Sequence, residues 1–338
     1  MKPEDVLDPF KTWHIPFGEW FDVGLGWIVQ EYRPLFQSLK WPIDQLLRAF
    51  DLALNDIPPV VIILCFGLVA WQIAGWRLAV QVAGLLLIIG FLGIWGETMT
   101  TLSLVFTAVL FCTVVGIPVG VIAARSDRAA AICRPILDTM QTIPSFVYLV
   151  PVVMLFGIGN VPGVIVTIVF ALPPVIRLTT LGIQQVSEEV VEAMRAFGAT
   201  NSQILFKAQL PLALPSIVAG VNQTLMMSLS MVVVASMIAV GGLGQMVLRG
   251  IGRLDIGLAA TGGIGVVILA IILDRLTQSA ISQPRRYADI AWHNQGPAAL
   301  FTGVVKTFQA SPAGRGGLEV AGNERLANKN GSDYERSV

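Results

Sequence analysis

Apolar positions in this chain cluster into long runs instead of alternating with polar ones. Seven stretches, about 58–75, 78–95, 98–124, 139–157, 161–176, 212–240 and 256–273, are almost wholly apolar, and the charges collect between them. Charge-free runs cover 98–124, 139–176, 208–248 and 256–273. Several reach the ~20 residues that a helix needs to cross the ~30 Å hydrocarbon layer of a bilayer. In hydrocarbon every backbone N–H and C=O must be paired within its own segment, and no run shows the two-residue alternation of a barrel strand, so each predicts a helix. The expectation is an all-α integral membrane protein with about seven transmembrane helices. Pro118, Pro144, Pro151, Pro173, Pro174 and Pro215 fall in or beside these stretches. There a proline kinks the helix and frees a carbonyl, which suits a bundle that moves.

The segments outside the runs differ from each other. Residues 1–57 hold nine acidic and five basic side chains, with Trp13, Trp20, Trp27 and Trp41 among them. Leu25, Ile28, Val29, Tyr32, Leu35 and Phe36 recur at intervals of mostly three or four, interrupted by Pro34 and Pro42, so short amphipathic helices are expected. They would lie on membrane lipid or pack as a small soluble appendage. After residue 294 Gly, Asn, Ser, Arg and Glu dominate, and 294–338 reads as a flexible tail. This divides the chain into an extension (1–57), two accessory spans (58–95), a core (98–280) with one long internal loop (177–211), and the tail.

Composition narrows the function. Lys+Arg and Asp+Glu number 22 each, 13% of 338 residues, about half the share in soluble domains. A soluble enzyme is disfavoured. The formal net charge is zero and no basic block is interleaved with aromatics, so no nucleic-acid partner is expected. Cys65, Cys112 and Cys133 form no CxxC and have no nearby His, and read as reduced packing residues; no metal site is expected. If Arg77, Arg125, Arg128, Arg134, Arg177, Arg195, Lys207, Arg275, Arg285 and Arg286 share one side, that side holds ten basic residues near the spans against four on the other: Lys40, Arg48, Arg249 and Arg253. The richer side is cytoplasmic by the positive-inside rule, which puts the N-terminus in the periplasm and the C-terminus in the cytoplasm. Arg249 and Arg253 then belong to a short external amphipathic segment after Gly241, Gly242 and Gly244, a candidate outer gate.

The 177–211 loop is the informative one. Leu181, Ile183, Val186, Val190 and Met194 repeat at helical intervals, with Gln184, Gln185, Glu188, Glu189 and Glu192 facing away. Gly198 supplies a helix-ending glycine. Thr200 and Gln203 then have the spacing of a capping box, opening a second short helix that Leu210-Pro211 is expected to close. Two short helices pinned by a glycine make a protrusion suited to docking.

Glu192-Ala193-Met194, then Gly198, Ala208 and Leu210-Pro211, resembles the EAA loop of ABC importer permeases with every spacing kept. Met194 and Ala208 depart from that pattern, both with apolar replacements. The stretch from Leu214 to Gln245 resembles the membrane subunit of glycine betaine/proline betaine importers, and the likeness extends over about 58–290. The resemblance implies a type I ABC importer permease bundle in the inner membrane. It implies a homodimer with a second copy of this chain, two copies of a cytoplasmic ABC ATPase and a periplasmic substrate-binding protein. A permease for choline, carnitine or another amine is the alternative within the class.

The chain contains no Gly-Lys dipeptide and hence no GxxxxGK[ST] phosphate loop, so ATP and Mg are expected on the partner ATPase, with no cofactor in this chain. Asn222, Gln223, Thr224, Ser228 and Ser230 are candidate pathway-lining residues in an uncharged run; the competing reading is hydrogen bonding between helices. The methionines of that run read as packing, and Gly116 with Gly120 as a close helix contact. An ion-coupled transporter would need acidic groups within its spans, whereas Glu97, Asp138 and Asp274 sit at ends. An enzyme would need a nucleophile with a base in reach, and no Ser, Cys or Asp in the spans has a His or Lys beside it in sequence; no catalytic residue is expected.

Overall fold

A computed structural model describes residues 16–281, in which helices are joined by short turns and no strand occurs. The expectations for the first fifteen residues, for Arg285 and Arg286 and for the 294–338 tail lie outside the described residues. The α-helices, in chain order, are α1 (Phe17–Asn55), α2 (Pro59–Ala74), α3 (Trp76–Phe91), α4 (Trp95–Arg125), α5 (Asp127–Thr142), α6 (Leu149–Phe156), α7 (Asn160–Gln184), α8 (Glu188–Ala196), α9 (Asn201–Ile204), α10 (Leu210–Ala235), α11 (Leu243–Gly252) and α12 (Ile256–Ile281).

Each of the seven apolar stretches is helical, but not each is one straight span. Four helical segments among the described residues are long and apolar enough to cross a membrane: α4, α7, Asn201–Ile238 and α12. Two bent pairs raise the count to six, and the 16-residue α3 is shorter. The expected span 139–157 is broken. Helix α5 ends at Thr142, a 3-10 turn occupies Ser145–Tyr148, and α6 continues after a 100° bend. The cause is Pro144, which pushes the preceding Ile143 into extended backbone (ψ 126°) and ends the helix there.

Helix α1 corrects a second expectation. It is one helix of 39 residues with Pro34 and Pro42 inside it, where a series of short helices was anticipated. Both prolines are exposed, so the lost N–H bonds and the rings disturb no packed face. The opposite side of α1 is docked. Ile43 and Leu47 are buried, Phe50 meets Phe106 of α4 edge to face, and Phe36 does the same with Phe156 of α6. Lys40 Nζ donates to the Phe156 carbonyl at 3.3 Å.

Small residues set the close crossings at the centre. A Cβ added at Gly120 would lie 2.6 Å from Thr179 Cβ and 3.0 Å from the Ile176 carbonyl of α7, and one at Gly116 would collide with Val175. The small-xxx-small pair of α4 is thus the contact anticipated, and the backbones approach because no side chain separates them. Helix α10 packs on α7 in the same way, with Gly182 against Ser216 and Gly220 against Leu178 and Val175. Cys112, Ala171, Val175 and Ile176 are buried around the first of these crossings and Ile183, Ala213 and Ile217 around the second, while Met99, Leu102, Val105, Val164 and Leu269 belong to a separate, larger core.

Candidate coupling surface and pathway

The expected first loop helix is two pieces. Helix α7 carries its apolar run on to Gln184 and stops, and α8 starts afresh at Glu188 after Ser187. Leu181 and Val190 are therefore both exposed and share no single buried stripe. At the end of α8 the amide of Gly198 donates to the Arg195 carbonyl at 2.9 Å, and the amide of Ala199 to Met194 at 3.0 Å. These are the two bonds of a Schellman turn. Gly198 has φ +79°, the left-handed region that the turn requires, and a Cβ there would meet nothing within 4 Å.

The capping box forms as expected. Gln203 Oε1 accepts from the Thr200 amide at 2.8 Å, and the Gln203 amide donates to Thr200 Oγ1 at 3.4 Å. Leu210-Pro211 does not close the second helix. A π turn over Leu205–Gln209 carries α9 directly into α10, the amide of Leu210 bonding to Leu205 five residues back. In the wider turn the helix accommodates Pro211, whose missing N–H would break a regular ladder. The protrusion is thus the tip of a 38-residue helical segment, Asn201–Ile238.

Ile204, Leu205 and Ala208 are buried at its base. At the tip Phe197 is 91% exposed and Phe206 66% exposed. Ala193 is exposed and Met194 half-buried; Glu192 is exposed and makes no hydrogen bond or ion pair among the described residues. Glu192 and Arg195 border a groove of about 560 Å³ with Arg125, Glu188 and Asn201, at the Arg125 end of α4.

The five polar residues of α10 do not share one face. Thr224 and Ser228 are fully buried; Ser228 Oγ donates to the Thr224 carbonyl at 2.8 Å, and Thr224 Oγ1 has no hydrogen-bond partner. Gln223 and Ser230 are exposed on the opposite side, along with Met237, while Met231 is buried packing. Asn222 links helices. Its Nδ2 donates to Asp274 Oδ1 of α12 at 3.3 Å, its Oδ1 accepts from the Thr277 hydroxyl, and Gln278 Nε2 donates to both Asp274 oxygens at 2.7 Å.

At the other end of the bundle the glycine-rich turn is clamped. The Gly241 amide donates to Asn160 Oδ1 at 2.8 Å, and the Leu243 amide to Thr101 Oγ1 at 2.9 Å. Gly242 has φ +95°, and a Cβ there would collide with Thr101. At Gly244 a Cβ would lie 2.9 Å from Val233 Cα. Helix α11 then turns back along α12, where Gly250 and Gly262 permit the approach to Ala259 and Val247.

Residues 116–283 match the family of binding-protein-dependent transport system inner membrane components. The chain is 58% identical to the glycine betaine/proline betaine transport system permease protein ProW of Escherichia coli (strain K12), over 88% of this chain and 84% of that protein. This chain belongs to that permease family. The permease is also 41% identical to the glycine betaine transport system permease protein OpuAB of Bacillus subtilis (strain 168), over 78% of this chain and 94% of that one. In fold it is similar to a chain of the MetNI methionine ABC transporter in an inward-facing conformation, with a TM-score of 0.52, 24% identity, and coverage of 56% of this chain and 95% of that chain.

Several residues of the permease that shape the site have no signature in the sequence. Arg177 reaches from α7 to Asp138 at 2.5 Å and Gln141 at 2.6 Å on α5, tying the broken span to the core. Asn160 and Thr101 hold the glycine turn from distant points of the chain. Phe197 had a local signal, being the last residue before the helix-ending glycine, and Phe206 lies one turn beyond the capping box.

Proposed function

We propose that this permease passes glycine betaine or proline betaine through the inner membrane for a binding-protein-dependent ABC importer. The observation that carries the reading is the turn between α8 and α9, a rigid exposed tip continuous with a membrane-length helix. A cytoplasmic ATPase, binding ATP and Mg, grips this tip, with Phe197 and Phe206 as apolar anchors and Glu192 facing an Arg or Lys of the partner. Closure of two ATPase copies pushes α8 and α9, and the helical continuity through Leu205–Gln209 transmits the push to α10. That motion switches the bundle between inward-open and outward-open states.

Two copies of the chain face each other across the exposed arc of α10, where Gln223 and Ser230 line the route. Asn222 holds α10 to α12 from the other side. An uncharged lining suits a zwitterion with a quaternary ammonium, because a buried fixed charge would be costly to desolvate or would bind one end of the substrate too tightly. The Asn160 and Gly241 end faces the periplasm, where a substrate-binding protein delivers the ligand past the turn at Gly241, Gly242 and Gly244. The basic residues around the α8–α9 turn support this orientation, with the N-terminus outside and the C-terminus inside.

The test is ATP-dependent uptake of labelled glycine betaine in proteoliposomes holding this chain and its ATPase, with and without the binding protein. Uptake that needs both partners, competed by proline betaine more strongly than by choline or carnitine, is the expected result. Uptake driven by an ion gradient without ATP would refute the reading.

A further inference from the structure

We infer that Arg177, Asp138 and the exposed ring of Phe146 line a water-filled vestibule at mid-depth in the bundle and hold the zwitterion there, its carboxylate on Arg177 and its quaternary ammonium against Phe146. The inference rests on the import reading and adds where in the membrane the substrate is held. Leu137 of α5 is buried in one cluster with Ala171, Val175 and Ile176, beside the midpoint of the 25-residue α7. Asp138 follows Leu137, and Arg177 lies five residues past that midpoint, ~7.5 Å along the helix. Both charges therefore fall within the ~30 Å hydrocarbon layer when α7 is centred in it. Asp138 stands at the edge of an apolar run in the sequence, but α5 begins at Asp127 and carries it inward. The side chains of Arg177 and Asp138 are 43% and 66% exposed. Charges at this depth are not left to lipid, and so open a pair is not bundle interior, which leaves a water-filled cavity.

The surroundings of the pair suit a zwitterion. At 100° per residue Arg134, Asp138, Gln141 and Thr142 fall on one edge of α5, beside the buried Ala130 and Leu137, while Ile132 and Ile136 are exposed on the other edge. Arg177 donates through Nη1 to Gln141 Oε1 and through Nη2 to Asp138 Oδ1. A guanidinium has five N–H donors, so the rest are open to a carboxylate. Asp138 neutralises Arg177, and the site therefore does not trap the substrate as a lone fixed cation would. Pro144 then turns the chain. In the 3-10 turn Ser145–Tyr148 the Tyr148 hydroxyl donates to the Thr139 carbonyl at 3.3 Å, which ties the turn to α5. Phe146 of that turn is 59% exposed, and an aromatic face attracts a quaternary ammonium. Two observations put this edge beside the open arc of α10. The 3-10 turn packs against α10, and Met227, at the border of the arc of Gln223 and Ser230, packs on the cluster of Leu137 and Ala171.

The first test uses the full-length chain with its ATPase in lipid nanodiscs, after Cys65, Cys112 and Cys133 are replaced by Ser. Thr142→Cys and Phe146→Cys should react with a trimethylammonium-ethyl methanethiosulfonate about tenfold faster than Ile132→Cys and Ile136→Cys, and excess glycine betaine, but not trehalose, should slow Phe146→Cys several-fold. Slow reaction at Thr142→Cys and Phe146→Cys would overturn the inference in favour of a face covered by lipid or by a second copy, and absence of protection would overturn the binding site. Because the cysteine-free chain can misfold, a second test keeps the native cysteines. Asp138→Asn, Arg177→Gln and the exchanged pair Asp138→Arg with Arg177→Asp are compared in proteoliposomes. The exchange should recover melting temperature lost in the single variants, yet betaine uptake should stay about tenfold below the parent, because the cation has moved to α5. Parental uptake by the exchanged pair would make the ion pair a structural tie only and overturn the inference. Phe146 is exposed, so its variants decide whatever the pair does to folding: Phe146→Trp should keep uptake and Phe146→Leu should lose it several-fold, and a Leu variant with parental uptake overturns the ammonium assignment. Labelling does not use transport. A parent chain that takes up no betaine refutes the import reading, whereas one that transports but labels wrongly refutes the vestibule alone.

Discussion

Gly198 tests the proposed coupling role of the α8–α9 turn without disturbing the bundle. Its φ of +79° and the two turn bonds from Gly198 and Ala199 fix the angle between α8 and α9. Because a Cβ meets nothing within 4 Å, a side chain here costs only backbone strain. For an L-residue held in the left-handed region that strain is ~1–2 kcal/mol, and less for Asn, which visits the region more readily. A change of that size lowers the population of the formed turn by roughly 5- to 30-fold. The turn is exposed and remote from the crossings of α4, α7 and α10, so Gly198→Asn, Gly198→Ala and Gly198→Val should insert and melt as the parent does. Uptake with the ATPase present should fall in the order Gly, Asn, Ala, Val, and amide exchange at Ala199 should quicken in the same order. Gly198→Asp adds charge beside exposed Phe197 and should abolish transport with insertion intact. A Val variant with parental uptake and exchange refutes the argument, and one that no longer inserts refutes the separation of turn from bundle.

Three further outcomes follow from packing. Gly120→Val drives a side chain into Thr179 and should cost about 1–3 kcal/mol, read as a lower unfolding temperature in detergent, with Thr179→Gly recovering part of it in the double variant. Thr224→Val removes a fully buried hydroxyl without a partner and keeps the shape; stability should be equal or higher and betaine uptake unchanged, whereas a large loss of uptake would put Thr224 in the pathway. Asn222→Ala cuts the links to Asp274 and Thr277 and should lower stability by about 1–2 kcal/mol, seen as earlier melting; a variant that melts with the parent would show that these bonds do not hold α10 to α12.

What was legible in the sequence was what local chemistry decides. Apolar runs announce helices because hydrocarbon leaves the backbone no other way to pair, and Thr200 with Gln203 announces a helix start because two side chains satisfy two end amides. The 139–157 span was misread because hydropathy carries no direction. The residues on both sides of Pro144 are equally apolar, yet the chain turns through 100° between them. Pro211 was misread for a related reason. Proline marks a helix end when the ladder around it is regular, and the π turn at Leu205–Gln209 changes the ladder.

The polar residues of α10 mark where sequence reasoning stops. Gln223 and Thr224 are adjacent, equally polar and in the same uncharged run, yet one is exposed and the other is sealed in the core. Which of them faces a pathway depends on where α7 lies, and that in turn depends on Gly182 and Gly220 allowing α7 to approach from one side of α10. The glycines were visible as small residues, but their partners Ser216, Leu178 and Val175 lie 34 to 45 positions away. With α7 covering that side, the arc of α10 carrying Gln223 and Ser230 is left open. The function proposed above puts a second copy of the chain on that open arc, and on that proposal the route for substrate would run between two α10 helices and not through either bundle. A Ser230→Cys variant joined by oxidation across the two copies is the measurement that decides it: cross-linking should be efficient in the membrane and should arrest uptake reversibly. A cross-link that forms at Thr224→Cys instead would mean that α10 is turned the other way.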